Sequence, residues 1–267
     1  KDAYAVAVRK QNGEIEVETE EFQGVLHGSA LKKIPFIRGV FQFADSLILG
    51  MRTLTWSASF YEEEENKPQE KPSLFQKLFG EKADEVAMGL TTAFSLIMAV
   101  AIFMVLPYFI STYIGKYVRN MSLIAIIEGL IRILIFVLYI AGISAMKDIR
   151  RLYQYHGAEH KCINCIEHGM ELNVDNVRKS SKQHKRCGTS FLFFVMIVSI
   201  IFCFFITAKS QVLRVVIRIA LMPVIAGVSF EIIRLAGNSE NPIINLLSRP
   251  GMWVQNLTTK EPDDSMI

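Results

Sequence analysis

The sequence predicts an all-α membrane bundle of four transmembrane helices, with a small N-terminal β-hairpin and a cytoplasmic metal-binding segment. Three observations predict it. Four long apolar runs carry the excess hydrophobicity of a 267-residue chain that is 51% hydrophobic, above the usual range for soluble domains. Lysine and arginine gather between the second and third runs. The same segment holds four of the five histidines and three of the four cysteines.

The runs cover roughly residues 88–114, 123–146, 190–208 and 212–235. Each approaches the ~20 residues that cross ~30 Å of hydrocarbon. In lipid the backbone has to satisfy its own polar groups, so each is expected to be a helix. Core helices of a large soluble protein are the alternative, but the first and third runs are too long and too free of charge for that.

Orientation follows from the basic residues flanking the spans. Lys147, Arg150, Arg151, Lys161, Arg178, Lys179, Lys182, Lys185 and Arg186 lie between spans two and three, whereas Lys116 and Arg119 alone lie between one and two. The middle segment is therefore expected in the cytoplasm, and an even number of spans places both termini there. The net charge of +3 is thus a topology signal. No aromatic-basic surface suggests that nucleic acid is bound directly. Reduced thiols are expected in that compartment, where they are available as ligands.

In chain order, residues 1–30 form the hairpin region. Alternating apolar residues flank an Asn12-Gly13 turn in "YAVAVRKQNGEIEVETEEF". Residues 31–61 read as an interfacial or re-entrant helix, too polar to span and too apolar to be free in water. A soluble helix buried against the hairpin is the alternative. Residues 62–85 are a charged, proline-containing linker. Spans one and two occupy 86–147, the His/Cys segment 148–189, spans three and four 190–236, and a polar cytoplasmic tail 237–267. The chain opens without Met, which suggests a trimmed start, and no signal-peptide pattern is visible.

Chemistry concentrates in "HGAEHKCINCIEH", residues 156–168. His156 and His160 are four apart, so a helix places both imidazoles on one face. With Glu159 they form H-x-x-E-H, a reversed zincin pattern. In that chemistry two imidazoles hold zinc and the glutamate is general base to the bound water. A third ligand is needed, and "QHKRCGTSF" offers His184 and Cys187. "ELNVDNVRKSS" reads as a short helix from Asn173 or Asp175 that folds the chain back, and Thr189 as the N-cap of the third span. Three readings stay open. Three ligands and a water would make a catalytic site, four ligands a structural one, and histidines bonded to carboxylates no metal site at all. Cys162 and Cys165 form a C-x-x-C pair without a thioredoxin-like context. They, Glu167 and His168 are auxiliary.

Charges also fall inside the spans. Glu128 and Arg132 are four apart in span two, and Glu231 and Arg234 three apart in span four, which also carries Arg214 and Arg218 in its first half. Such groups are costly in lipid and face a partner or a cavity. They read either as ion pairs fixing the bundle, or as a cavity for a headgroup or a grip on another membrane protein.

Four stretches together carry a resemblance: "IPFIRGV" (34–40), "YHGAEHK" (155–161), "HKRCGTSF" (184–191) and "LTTKEP" (257–262). In content and order they resemble the bacterial YqhQ family, which carries a domain of unknown function. The family's glycine-rich start is absent here, and its His-Pro-Arg-Cys is His184-Lys185-Arg186-Cys187 in this chain. The resemblance implies a bacterial integral membrane protein of a kind sometimes described as a predicted metal-dependent enzyme, and it supports the set His156, Glu159, His160, His184 and Cys187. The expected function is a zinc-dependent hydrolase working at the cytoplasmic membrane face. The alternative is a non-enzymatic accessory of a membrane-protein complex, such as secretion or insertion machinery, with a structural zinc. The bilayer is the expected partner in either case.

Overall fold

The computed structural model describes residues 3–62, 80, 83–206, 211–239 and 241–267, so most of the charged linker lies outside the described residues. The chain divides into two compact units, Lys1–Val100 and Ala101–Ile267.

In the first unit, β1 (Ala3–Arg9) pairs antiparallel with β2 (Ile15–Glu21), with Arg9 opposite Ile15. Gly13, at φ 87°, supplies the left-handed turn residue between them. A 3-10 turn then leads to α1 (Ile37–Glu62). Asp45 of α1 accepts the Val25 N–H at 2.7 Å and so ties the helix to the hairpin's exit. Gly24 is needed there, because a Cβ would lie 2.2 Å from the Asp45 carboxylate. The outward side of α1 carries exposed Leu47, Ile48, Met51 and Leu54. The unit ends with α2 (Ala83–Val100).

Four helices among the described residues are long and apolar enough to cross a membrane: Val86–Ile114, Met121–Ile143, Gly188–Phe205 and Val216–Gly237. Their burial is inverted relative to a water-soluble protein. Leu130, Leu134 and Leu138 are exposed in a stripe, whereas Glu128, Ser111, Ser190 and Ser229 are buried. Apolar outside and polar inside is the distribution that lipid solvent selects. These helices mark a membrane protein.

The second unit begins with a π-helical turn, Ala101–Val105, and α3 (Leu106–Ile114). Pro107 brings no N–H to the carbonyl four residues back, and that carbonyl, on Phe103, accepts from Arg132 Nε at 3.1 Å. Arg132 lies on α4 (Met121–Ile143), which Asn120 caps through its side chain. After the polar segment come α7 (Gly188–Phe205) and α8 (Gln211–Gly237); α5 and α6 between them are described with the site. Gly129 lets α4 close on α7, since a Cβ there would meet Ile200 at 2.1 Å. Phe193, Met196 and Val254 form the local core, with Ile133, Phe136 and Ile197 against it.

Val254 belongs to an element the sequence reading lacks. The stretch read as a polar tail contains α9 (Pro242–Thr258), capped by Asn241. Apart from Val254 its inner face is small or polar (Ser248, Gly251, Gln255, Thr258), and its exposed face carries Ile243, Leu246, Leu247 and Trp253. Read as a water-soluble amphipathic helix, that pattern is inside out, so polar residues facing the protein pass for a solvated tail. A Cβ on Gly251 would lie 3.1 Å from Ser190 Oγ, which shows how closely α9 lies on α7.

Candidate metal centre

Helix α5 (Lys147–Glu167) follows span two after a short turn. It ends in a Schellman motif. Gly169 has φ 68°, and the Met170 and Gly169 N–H groups reach the Cys165 and Ile166 carbonyls at 3.0 and 2.9 Å. The chain then forms α6 (Val174–Lys179), capped by Asn173, and returns along α5. One face of α5 hydrogen-bonds this returning strand. Lys161 Nζ donates to the Arg178 and Ser180 carbonyls at 2.9 and 3.1 Å. Asn164 Nδ2 donates to Ser181 and Gln183 at 2.7 and 3.0 Å. His160 Nδ1 meets the Lys182 carbonyl at 2.8 Å. Side chains on one helix face thus satisfy the carbonyls of a segment that has no ladder of its own.

The return delivers Cys187 to the histidines. Ligand atoms of His156, His160 and Cys187 all lie within 4.8 Å of one another. His156 Nε2 is 3.5 Å from Cys187 Sγ, and the two imidazole centroids are 4.4 Å apart. His156 Nδ1 is 2.9 Å from the Thr258 carbonyl. A carbonyl only accepts, so Nδ1 of each ring carries a proton; His156 Nε2 donates to the Cys187 sulfur when the ring is charged and presents a lone pair when it is neutral. Cys187 is also the N-cap of α7. Its sulfur accepts from the Thr189 N–H at 3.4 Å, so the cap is Cys187 and Thr189 falls inside the helix. A carboxamide or hydroxyl is the commoner cap, which is why Thr189 was the apparent choice.

Electrostatics favour a thiolate. Burial opposes ionisation of Cys187, but hydrogen bonds from His156, His160 and the Thr189 N–H, and the charge of His156, bring its pKa down to about 5. Burial likewise opposes a charge on His156; its bond and attraction to Cys187, with smaller help from Thr258 and Glu159, outweigh this and raise its pKa. Because the thiol pKa is depressed on folding, its contribution to stability is complete above the unfolded value of 9.0 and is lost as pH falls through about 5. Metal-free protein is expected to show the ultraviolet absorbance of one thiolate at neutral pH, fading near pH 5 and missing from Cys187→Ser. Thiolate that appears only at alkaline pH would contradict the arrangement.

The other residues of the set divide. Glu159 lies one turn from His156 on α5 and is exposed. His184 is not among the grouped ligands. Its Nε2 is 3.1 Å from Glu167, its Nδ1 accepts from the Arg186 N–H at 3.3 Å, and its ring lies 5.9 Å from that of His160. Glu167 thus pairs with His184 and Arg186. Burial resists its ionisation, yet the His184 bond and these two charges hold its pKa below the usual range. Cys165 is fully buried against the Met170 and Glu171 carbonyls. Cys162 is half-buried, with burial pushing its thiol pKa up. His168 bonds to the Asn164 carbonyl at 2.7 Å. None of these last three joins the cluster. Within the bundle, Glu128 pairs with Arg132 and with Arg218, and Arg234 lies 3.6 Å from Glu231.

Sequence reasoning missed the C-terminal contribution. Gln255, completely buried, accepts from the His184 N–H and donates to the His184 carbonyl and to Ser190. Lys260 N–H donates to the Tyr153 carbonyl at 2.8 Å, and Glu261 pairs with Lys161 at 3.0 Å. The signal was faint: one apolar patch around "PGMWVQNLTT". Gly157, beside His156, makes the close approach possible, because a Cβ there would sit 2.0 Å from the Lys260 carbonyl oxygen. Gly157→Ala is expected to destabilise the unit by about 1–3 kcal/mol, the usual cost of overpacking. Thermal unfolding would show it, together with faster proteolysis beyond Thr258. An unchanged melting curve would mean that the segment docks otherwise.

Comparison with known proteins gives the family. The family model described as "Protein of unknown function (DUF1385)" matches residues 34–267. An "Uncharacterized protein YqhQ" from Bacillus subtilis is 32% identical over 274 residues, spanning 100% of this chain and 84% of that protein. No solved structure matches. A family model that covers both the spans and the His/Cys cluster, and a relative aligned along the whole chain, show that this membrane protein belongs to the DUF1385 (YqhQ) family.

Proposed function

We propose that the protein is a zinc-dependent hydrolase of the bacterial plasma membrane, with its site in the polar head beside the ends of spans two and three. The observation that carries this reading is the tautomer lock. Both histidines give Nδ1–H to a backbone carbonyl and turn Nε2 toward a cysteine sulfur. Metal-binding histidines are almost always held this way from behind. Two imidazoles and a thiolate suit zinc. Three protein donors, with His184 committed to Glu167, match the catalytic class, which keeps one coordination position for water.

Zinc bound there would supply a water acidified towards neutrality and a Lewis acid. The chain's own residues do the rest. His156 and His160 hold the cation with neutral rings, and Cys187 lowers its charge. Glu159, one turn along the same helix face and exposed, takes the proton from the attacking water and returns it to the leaving group. The concentration of Lys and Arg in this segment supports a cytoplasmic head and cytoplasmic termini. The exposed apolar side of α1 supports an interfacial position for that helix.

The test is X-ray absorption on zinc-loaded full-length protein, with a peptide and ester library assayed by mass spectrometry. Two nitrogen, one sulfur and one oxygen neighbour are expected, with hydrolysis lost in Glu159→Gln while zinc stays. A second sulfur or a third histidine with no oxygen would overturn the catalytic reading. It would favour the accessory alternative, in which zinc staples the head and the exposed apolar face of α9 meets another membrane protein.

A further inference from the structure

A second site lies at the opposite end of the bundle from the His/Cys cluster. The start of α4 and the end of α7 meet there, joined by Ser122 Oγ donating to the Phe204 carbonyl at 3.3 Å. Glu128 is seven residues into α4, roughly 10 Å below that end at 1.5 Å per residue. Beside it is a small recess, open at its mouth and lined by Met121, Ile124, Ala125, Glu128, Cys203, Ile206 and Arg218.

The charges around the recess do not cancel. Glu128, 4% exposed, is a single carboxylate. Arg218 grips both its oxygens, at 2.6 and 3.0 Å, and Arg132 adds a bond at 3.1 Å. Among the described residues, two guanidiniums against one carboxylate leave one positive charge at a depth where unbalanced charge is costly. Each of the three nitrogens of Arg132 has a partner, the other two partners being the Phe103 carbonyl and Ser199. Arg218 differs: its Nε is buried and has no hydrogen-bond partner among the described residues. A buried unsatisfied donor on a charged group asks for an acceptor. Among the described residues Arg218 is the guanidinium that lines the recess, with Glu128 and the Cys203 thiol against it, and Met121, Ile124, Ala125 and Ile206 supply apolar walls.

We propose that this recess binds the anionic headgroup of an amphiphile: a monoanionic phosphate whose ester chain leaves through the mouth along Met121, Ile124 and Ile206. One negative charge neutralises the site, a phosphate oxygen meets the Arg218 guanidinium where it lines the recess, and apolar walls meet the chain. Guanidinium is the cation suited to phosphate oxygens, because its fork matches their spacing. The proposal is independent of the zinc reading, since no residue is shared between the two sites.

The experiment uses the full chain in nanodiscs of equal phosphatidylglycerol and phosphatidylcholine, with retained lipid counted by native mass spectrometry. One phosphatidylglycerol retained per chain is expected. Arg218→Gln is expected to lower its retention about tenfold relative to phosphatidylcholine, the loss of one charge-assisted hydrogen bond. Ala125→Leu, which fills the recess and keeps every charge, is expected to do the same and carries the test if Arg218→Gln does not fold. Inorganic phosphate should fail to displace the lipid; displacement would assign the site to a free anion and overturn the amphiphile. Equal retention of both lipids, or retention unaffected by Ala125→Leu, would overturn the site.

Discussion

Replacing His160 by alanine is expected to strip the protein of zinc. His160 is 4% exposed and is fixed from behind by the Lys182 carbonyl. Loss of a group behind a ligand weakens metal binding ~10–100-fold; loss of the ligand itself is expected to exceed that range, as is Cys187→Ser. Competition with a chromogenic zinc chelator measures both. His184→Ala provides the contrast. Because its ring nitrogens are engaged by Glu167 and Arg186, its removal is expected to keep the zinc, weakened by no more than ~10–100-fold. If His184→Ala loses zinc as completely as His160→Ala, the shell has four protein ligands and the structural reading prevails.

Glu128→Ala is expected to be the most destabilising change in the membrane region. It removes the one carboxylate that two guanidiniums share and leaves both buried charges uncompensated. Breaking such a group by deleting one partner costs about 3–5 kcal/mol, whereas replacing the whole group by apolar residues is often neutral. The triple variant Glu128→Leu, Arg132→Leu, Arg218→Leu should therefore unfold later than Glu128→Ala alone. Unfolding in mixed detergent, followed by circular dichroism, measures the order. The idea fails if Glu128→Ala melts with the wild type.

The spans were legible because lipid imposes length and composition on each of them separately. The two halves of the His/Cys cluster were legible for a similar local reason: His156 and His160 are fixed by helical spacing, and Cys187 is one of few candidates within reach. The choice between His184 and Cys187 was not. It depends on which atoms the returning strand already uses, and the deciding partners, Glu167 and Gln255, act through tertiary contact. The pairing of Glu128 with Arg218 was hidden for the same reason. Spacing along a helix advertises Glu128 with Arg132 and Glu231 with Arg234, but Arg218 reaches Glu128 from another span, 90 residues away. Helix α9 escaped because its apolar side faces outward, and a rule that buries apolar residues reads such a helix as a tail.

The Thr258 carbonyl that orients His156 comes 102 residues after it in the chain. This sets an order of events in biosynthesis. When α5 leaves the ribosome, His156 has neither its backbone acceptor nor Cys187, and two spans still have to be inserted. His156 acquires its backbone partner only when the end of α9 has been made and laid along α5. A ribosome stalled anywhere before Thr258 therefore leaves a chain in which the His156 ring is not yet held from behind.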